Sequence, residues 1–155
     1  MNVKHFLALL AVPFAFTLQA QTPPSPSPEW QPVEVVNLQL EALRNNNPAT
    51  DAGIATAYAF ASPKNKESVG ELANFSRMLH SGYADMLTHT EADLETLEVS
   101  EREAAIGVTL RLAGNSQHRY IFVLSRNDGA PCDGCWLTDG VIPVERADPP
   151  PLRQI

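Results

Sequence analysis

Cys132 and Cys135 are the only thiols in the 155-residue chain, and two residues separate them in a C-x-x-C pattern. That spacing suits a local disulfide, a redox pair or half of a zinc site. A redox pair needs its first thiol at a helix N-terminus, whose dipole lowers the thiol pKa. Here Pro131 precedes the pair, Asp133 and Gly134 lie inside it, and a strand-like run follows. The helix is missing and a negative charge is added, so a disulfide closing the turn before the last strand is the expectation. A thiol redox protein acting through Cys132 and Cys135 is the third-ranked function. Zinc takes four ligands, and two thiols with a distant His118 fall short, so no metal site is expected.

The acid/base candidates are Asp139, His80 and Asp85. Asp139 follows Trp136, Leu137 and Thr138 and precedes Gly140. An apolar surround there would raise its pKa toward that of a general acid or base. The plainer reading is that Asp139-Gly140 is a bulge or turn signal. Asp85 sits among Tyr83, Met86 and Leu87. No spacing pairs His80, His89 or His118 with a nucleophile, and His80 in a last helical turn also suits the helix dipole. Tyr58, Phe60, Phe75, Tyr120, Phe122 and Trp136 are candidates to line an apolar ligand pocket, although each serves equally as core. Gly53 and Gly70 lack phosphate-cradle spacing, and no cofactor is expected.

These side chains must be held by elements that the hydrophobic period reveals. Pro32 opens a stripe of Val33, Val36, Leu40 and Leu43 at helical spacing, predicting a first helix to about Asn45. Thr50 or Asp51 is the expected cap of a second helix over Gly53 to Ala61, which Ser62 and Pro63 stop. Ser68 with Glu71 has capping-box spacing and predicts a third helix, with Leu72, Phe75 and Leu79 on its inner face. After Gly82 the period becomes two. Ala104, Ile106, Val108, Leu110 and Leu112 alternate with Ala105, Gly107, Thr109 and Arg111. Runs over Leu94 to Val99, Tyr120 to Leu124 and Trp136 to Val144 complete a strand meander with short connections, hence antiparallel neighbours. Helices first and strands second is an α+β pattern.

Met1 and Asn2 lead to the positive Lys4, an apolar run of 13 residues from Phe6 to Leu18 follows, and the small Ala20 closes the segment. This reads as a signal peptide over residues 1–20, cleaved near Ala20. The run is shorter than the ~20 residues a bilayer span needs, so no stable membrane anchor is expected, and the mature product is expected to be periplasmic or secreted. Cleavage leaves ten basic against 18 acidic residues, a formal charge of −8, which repels phosphate backbones and makes nucleic acid an unsuitable partner. Residues 21–32 form a Pro/Ser-rich linker, 33–147 a single α+β domain, and 148–155 a Pro-rich tail.

The stretches Gly53-Ile-Ala-Thr-Ala-Tyr-Ala-Phe-Ala-Ser-Pro63, Phe75-Ser-Arg-Met-Leu-His80 and Cys135-Trp-Leu-Thr-Asp-Gly-Val141 resemble the family called domain of unknown function 4864. The resemblance spans about residues 33–145. The family's helix-then-strand order is similar to the cone-shaped fold named after nuclear transport factor two, in which a curved antiparallel sheet wraps helices around a central pocket (a cystatin-like cone). The resemblance thus implies a fold and a pocket, and it names no chemistry. The leading expectation is a noncatalytic domain that binds a small apolar or amphipathic ligand or a protein partner. The second is a lyase- or isomerase-type enzyme using Asp139 or His80, as enzymes on the cone fold use an Asp or His in the cavity. Cone-fold domains often pair through the sheet's outer face, which leaves a homodimer open, with Thr109, Arg111, Ile121 and Val123 as candidate outward positions.

Overall fold

The structure, a computed structural model, describes residues 22–144. The expected signal peptide and the Pro-rich tail lie outside the described residues. Five helices precede four strands: α1 Pro32–Arg44, α2 Ala52–Ala59, α3 Pro63–Val69, α4 Leu72–Gly82 and α5 Asp85–Thr88, then β1 Glu91–Val99, β2 Glu103–Arg111, β3 Gln117–Arg126 and β4 Trp136–Val144. The strands form one antiparallel sheet in the order β1-β2-β3-β4. The expected α+β architecture is observed.

α1 starts where the sequence places it. Pro32 occupies the first turn, where a missing N–H costs nothing, and the Gln31 N–H donates to the Glu34 carboxylate at 2.7 Å. Val35, Val36, Leu40 and Leu43 are buried and meet the inner face of the sheet, where Ile106 lies opposite Phe122 and Val108 opposite Tyr120. The alternation of β2 is complete: Ala104, Ile106, Val108 and Leu110 are buried, and Thr109 and Arg111 take the other face. Ile121 and Val123 lie opposite Gly107 and Ala105 on that same outer face. Part of the Pro/Ser-rich segment is seated on the fold, since the Trp30 indole N–H donates to the Ser25 carbonyl and the ring packs against the core.

Three local expectations are corrected. Asp51 stands at the N-terminus of α2, but its backbone is left-handed (φ 52°) and its carboxylate caps nothing there. Asn46, from the loop after α1, caps instead: its Oδ1 accepts from the N–H groups of Gly53 at 3.0 Å and Ile54 at 3.2 Å. Second, Ser62 and Pro63 start a helix as well as ending one. The Ser62 hydroxyl accepts from the Asn65 N–H at 3.1 Å, Pro63 fills the first turn, and α3 follows. Third, the Ser68–Glu71 spacing makes no capping box. Gly70 has φ 77°, which breaks the chain between α3 and α4, and Leu72 is 38% exposed, leaving Phe75 and Leu79 as the inner face.

Candidate functional site

A cavity of about 220 Å3 lies between the helices and β4. Its apolar wall comes from α1 (Leu43), α2 (Ala57), α4 (Phe75, Met78, Leu79), Met86 of α5 and Phe122 of β3, with Tyr83 beside them. Its polar residues come from α3 (Asn65, Ser68), β4 (Thr138, Asp139) and α1 (Gln39).

The α3 and β4 side is built by backbone. The segment after α2 pairs with β4 in a short parallel bridge, Ala61 to Thr138. The Thr138 N–H donates to the Phe60 carbonyl at 2.8 Å, and the Ser62 N–H donates to the Thr138 carbonyl at 2.9 Å. Asn65 Nδ2 adds a second donor to the Thr138 carbonyl, at 3.0 Å. At this point the β3 to β4 register slips: Val123 pairs with Gly140 but Leu124 pairs with Thr138. Asp139 is the extra residue of that β-bulge. A bulge bends its strand and re-aims the unpaired side chain, and here Asp139 lines the cavity. The two readings of Asp139-Gly140, a bulge signal and a cavity carboxylate, describe one local geometry.

Deep in the cavity, Gln39 and Thr138 are both buried. The Thr138 hydroxyl donates to Gln39 Oε1 at 2.7 Å, and Gln39 Nε2 donates to the Ala57 carbonyl at 3.1 Å. The pair satisfies itself, as buried polar groups must, and it fixes α1 and α2 to β4.

Of the six aromatic candidates, Phe75 and Phe122 line the cavity. Phe60 is buried in the core, and Trp136 is buried with the Arg126 guanidinium 5.3 Å from its ring centre. Tyr58 packs on Phe75 at 5.3 Å between ring centres, donates its hydroxyl to the Gly70 carbonyl at 2.8 Å and carries the Lys66 ammonium over its ring. Burial lowers the pKa of Lys66. Tyr83, absent from the sequence candidates, lines the cavity and donates to the Val141 carbonyl at 3.3 Å.

The other acid/base candidates form two clusters away from the cavity wall. His80 lies 3.8 Å from Asp51, whose carboxylate also accepts from the Ser76 hydroxyl at 2.7 Å and from Asn46 Nδ2 at 3.1 Å. Hydrogen bonds from Ser76 and Asn46, with a further contribution from His80, hold the Asp51 carboxyl below the usual carboxylate range. Asp85 meets His118 Nδ1 and accepts from the Tyr120 hydroxyl at 2.9 Å. Burial first, and then Asp85, push the Tyr120 phenol well above its ordinary range. Sequence spacing gave no sign of the Asp85–His118–Tyr120 grouping, because its members are 33 and 35 positions apart.

His89 is buried at the junction of α5 and β1, with Nδ1 donating to the Met86 carbonyl at 3.0 Å. Burial, its largest influence, lowers its pKa. A free histidine titrates near about 6.5, so below that pH the unfolded chain takes up a proton that the folded one refuses. Stability is therefore full above about pH 6.5 and falls as the pH drops from there to the folded pKa. Urea midpoints measured from pH 8 down to 4.5 should show that decline, and His89→Gln should flatten it. Asp51 acts in a separate, more acidic window: its depressed pKa contributes stability that is lost only as the pH falls below the ordinary carboxylate value of about 3.9.

Cys132 and Cys135 lie at disulfide distance, with their Cα atoms 5.7 Å apart. Cys135 is buried. The loop is also tied by Asn127, whose Nδ2 donates to the carbonyls of Gly129, Ala130 and Cys132, while the Asn127 N–H donates to the Cys135 carbonyl. A bridge spanning so few residues restricts the unfolded chain by only about 2 kcal/mol. Its main effect is to hold the turn entering β4.

No group of three or more metal-ligating side chains is found among the described residues. No described helix is long and apolar enough to cross a membrane. Comparison with curated proteins and with solved structures gives no match. Residues 28–150 match the family described as Domain of unknown function (DUF4864), and the chain belongs to that family.

Proposed function

We propose that this chain is an exported, noncatalytic domain that binds a small apolar or amphipathic molecule in the cavity between its helices and β4. The observation that carries this reading is the cavity itself. It encloses about 220 Å3, with mostly apolar walls and a few polar groups converging from α3 and β4, the usual composition of a small-molecule site. A dry cavity of ~150 Å3 takes up benzene, so this one suits a substituted ring or a comparable short chain. The helix-then-meander order is compatible with the cone-shaped fold, and on that reading the cavity is the central pocket of the cone.

Binding is favoured over acid/base turnover because Asp139 lines the cavity while His80 is turned to Asp51 and does not line it. A thiol redox role is less well supported, since Cys135 is buried and the pair precedes a strand. The disulfide fits an oxidising compartment, and export supplies one.

Titration with toluene, followed through backbone amide signals, tests the reading. The amides of Met78, Gly140 and Val141 should shift together, with a dissociation constant of roughly 0.1–1 mM. Met78→Trp, which fills the cavity, should abolish the response. Unchanged signals at saturating toluene would remove the basis for a ligand site.

A further inference from the structure

We infer that the ligand class of this cavity is a small amine: a cation carried on a ring-sized apolar body, held with its ammonium group at Asp139. This rests on the ligand-binding reading above and goes beyond it in fixing the sign of the ligand's charge. Among the described residues, Asp139 is the only acidic or basic side chain other than the Tyr83 phenol on the cavity wall, and no Lys, Arg or His lines it. Its carboxylate has no hydrogen-bond or ion-pair partner among the described residues.

Asp139 is half-buried, and an unpaired carboxylate beside apolar walls attracts an opposite charge. A carboxylate or phosphate ligand would meet repulsion and find no cationic partner. The remaining polar groups point the same way. Asn65 spends an N–H on the Thr138 carbonyl, and the Thr138 hydroxyl gives its proton to Gln39. Asn65 Oδ1 and the Asp139 oxygens are left as acceptors, and the donors that remain on the wall, the second Asn65 N–H and the Ser68 hydroxyl, are uncharged, so the one full charge a ligand meets is negative.

Aromatic faces complete the arrangement. Phe75, Phe122 and Tyr83 share the cavity with Asp139, and ring faces attract ammonium groups. The bulge is what makes the carboxylate available: a regular β4 would give residue 139 a register partner on β3, whereas here Gly140 and Thr138 take those partners and Asp139 takes none. The acidic chain as a whole, with formal charge −7, draws cations toward its surface.

Four probes sharing one ring separate the possibilities: benzylammonium, benzyl alcohol, toluene and benzoate, each titrated against the protein and read at the Met78, Gly140 and Val141 amides. Benzylammonium should bind about tenfold or more tighter than benzyl alcohol, and benzoate should bind weakest. Asp139→Asn should bring benzylammonium to the level of benzyl alcohol. Should that variant not fold, the order of the four probes on the natural protein still decides. Equal affinity for benzyl alcohol and benzylammonium, or tighter binding of benzoate, overturns the amine assignment and leaves the cavity reading standing. Failure of all four probes to move those amides overturns both.

Discussion

Gly53→Ala lowers the stability of the fold by about 3–5 kcal/mol, a loss at the far end of what single substitutions produce. The cause is steric. A Cβ on Gly53 would stand 2.0 Å from the Ala42 carbonyl oxygen and 2.9 Å from the Asn46 Cα, and contacts below 3.0 Å force something to move. Both neighbours are backbone, so no rotamer change relieves the clash; α1 and α2 must separate. Helix propensity alone predicts the opposite sign, since alanine in a helix interior is favoured over glycine by about 1 kcal/mol. Gly82→Ala supplies the contrast. Gly82 ends α4 and a Cβ there meets nothing within 4 Å, so its replacement should be neutral or stabilising by up to about 1 kcal/mol. Urea denaturation should show a large fall in midpoint for the first variant and little change for the second, with the slope preserved in both. An unchanged midpoint for Gly53→Ala would refute the close approach of α1 and α2.

The second large effect is a coupling. Gln39→Leu leaves the hydroxyl of Thr138, a residue only 2% exposed, without an acceptor, at a cost of about 1–3 kcal/mol. Thr138→Val leaves Gln39 Oε1 equally bare and should cost a similar amount. The Ala57 carbonyl loses less in the first variant, because it still accepts from the Phe60 N–H at 3.1 Å. With both partners replaced, nothing buried is left unsatisfied, and the double variant should be more stable than the sum of the singles predicts by about 1–2 kcal/mol. Strict additivity in a double-mutant cycle would mean that the hydrogen bond contributes nothing.

How much of this was legible in sequence depended on whether burial left a period to read. α1 and β2 were visible because each buries one face, the first at helical spacing and the second strictly alternating. α3 was not, because none of its residues is buried; its only signals were Ser62 and Pro63, which read equally as the end of α2. That omission hid Asn65 and Ser68, and with them the polar side of the cavity. Asp139 was singled out for the apolar run before it, with Asp-Gly as a competing bulge signal, and only the register slip shows why it has no partner on β3. The Asp85–His118 contact and the Gln39–Thr138 pair were out of reach, since residues that meet only through the tertiary fold carry no mark of one another in their local sequence.

The cap that Asn46 gives α2 has a consequence for how the chain acquires its shape. α2 has eight residues, below the ~12–15 at which an isolated helix holds together in water, and its own preceding residue does not close its first turn. The group that does close it arrives with the end of α1, at the point where Gly53 lets the two backbones touch. Apart from α1, α2 is therefore not expected to hold its shape. Its first turn is closed only while the end of α1 is in place, so the two should open and close as one cooperative unit. Since α2 leads directly into the Phe60–Ser62 segment that pairs with β4, loosening the end of α1 should be felt at the cavity wall as well.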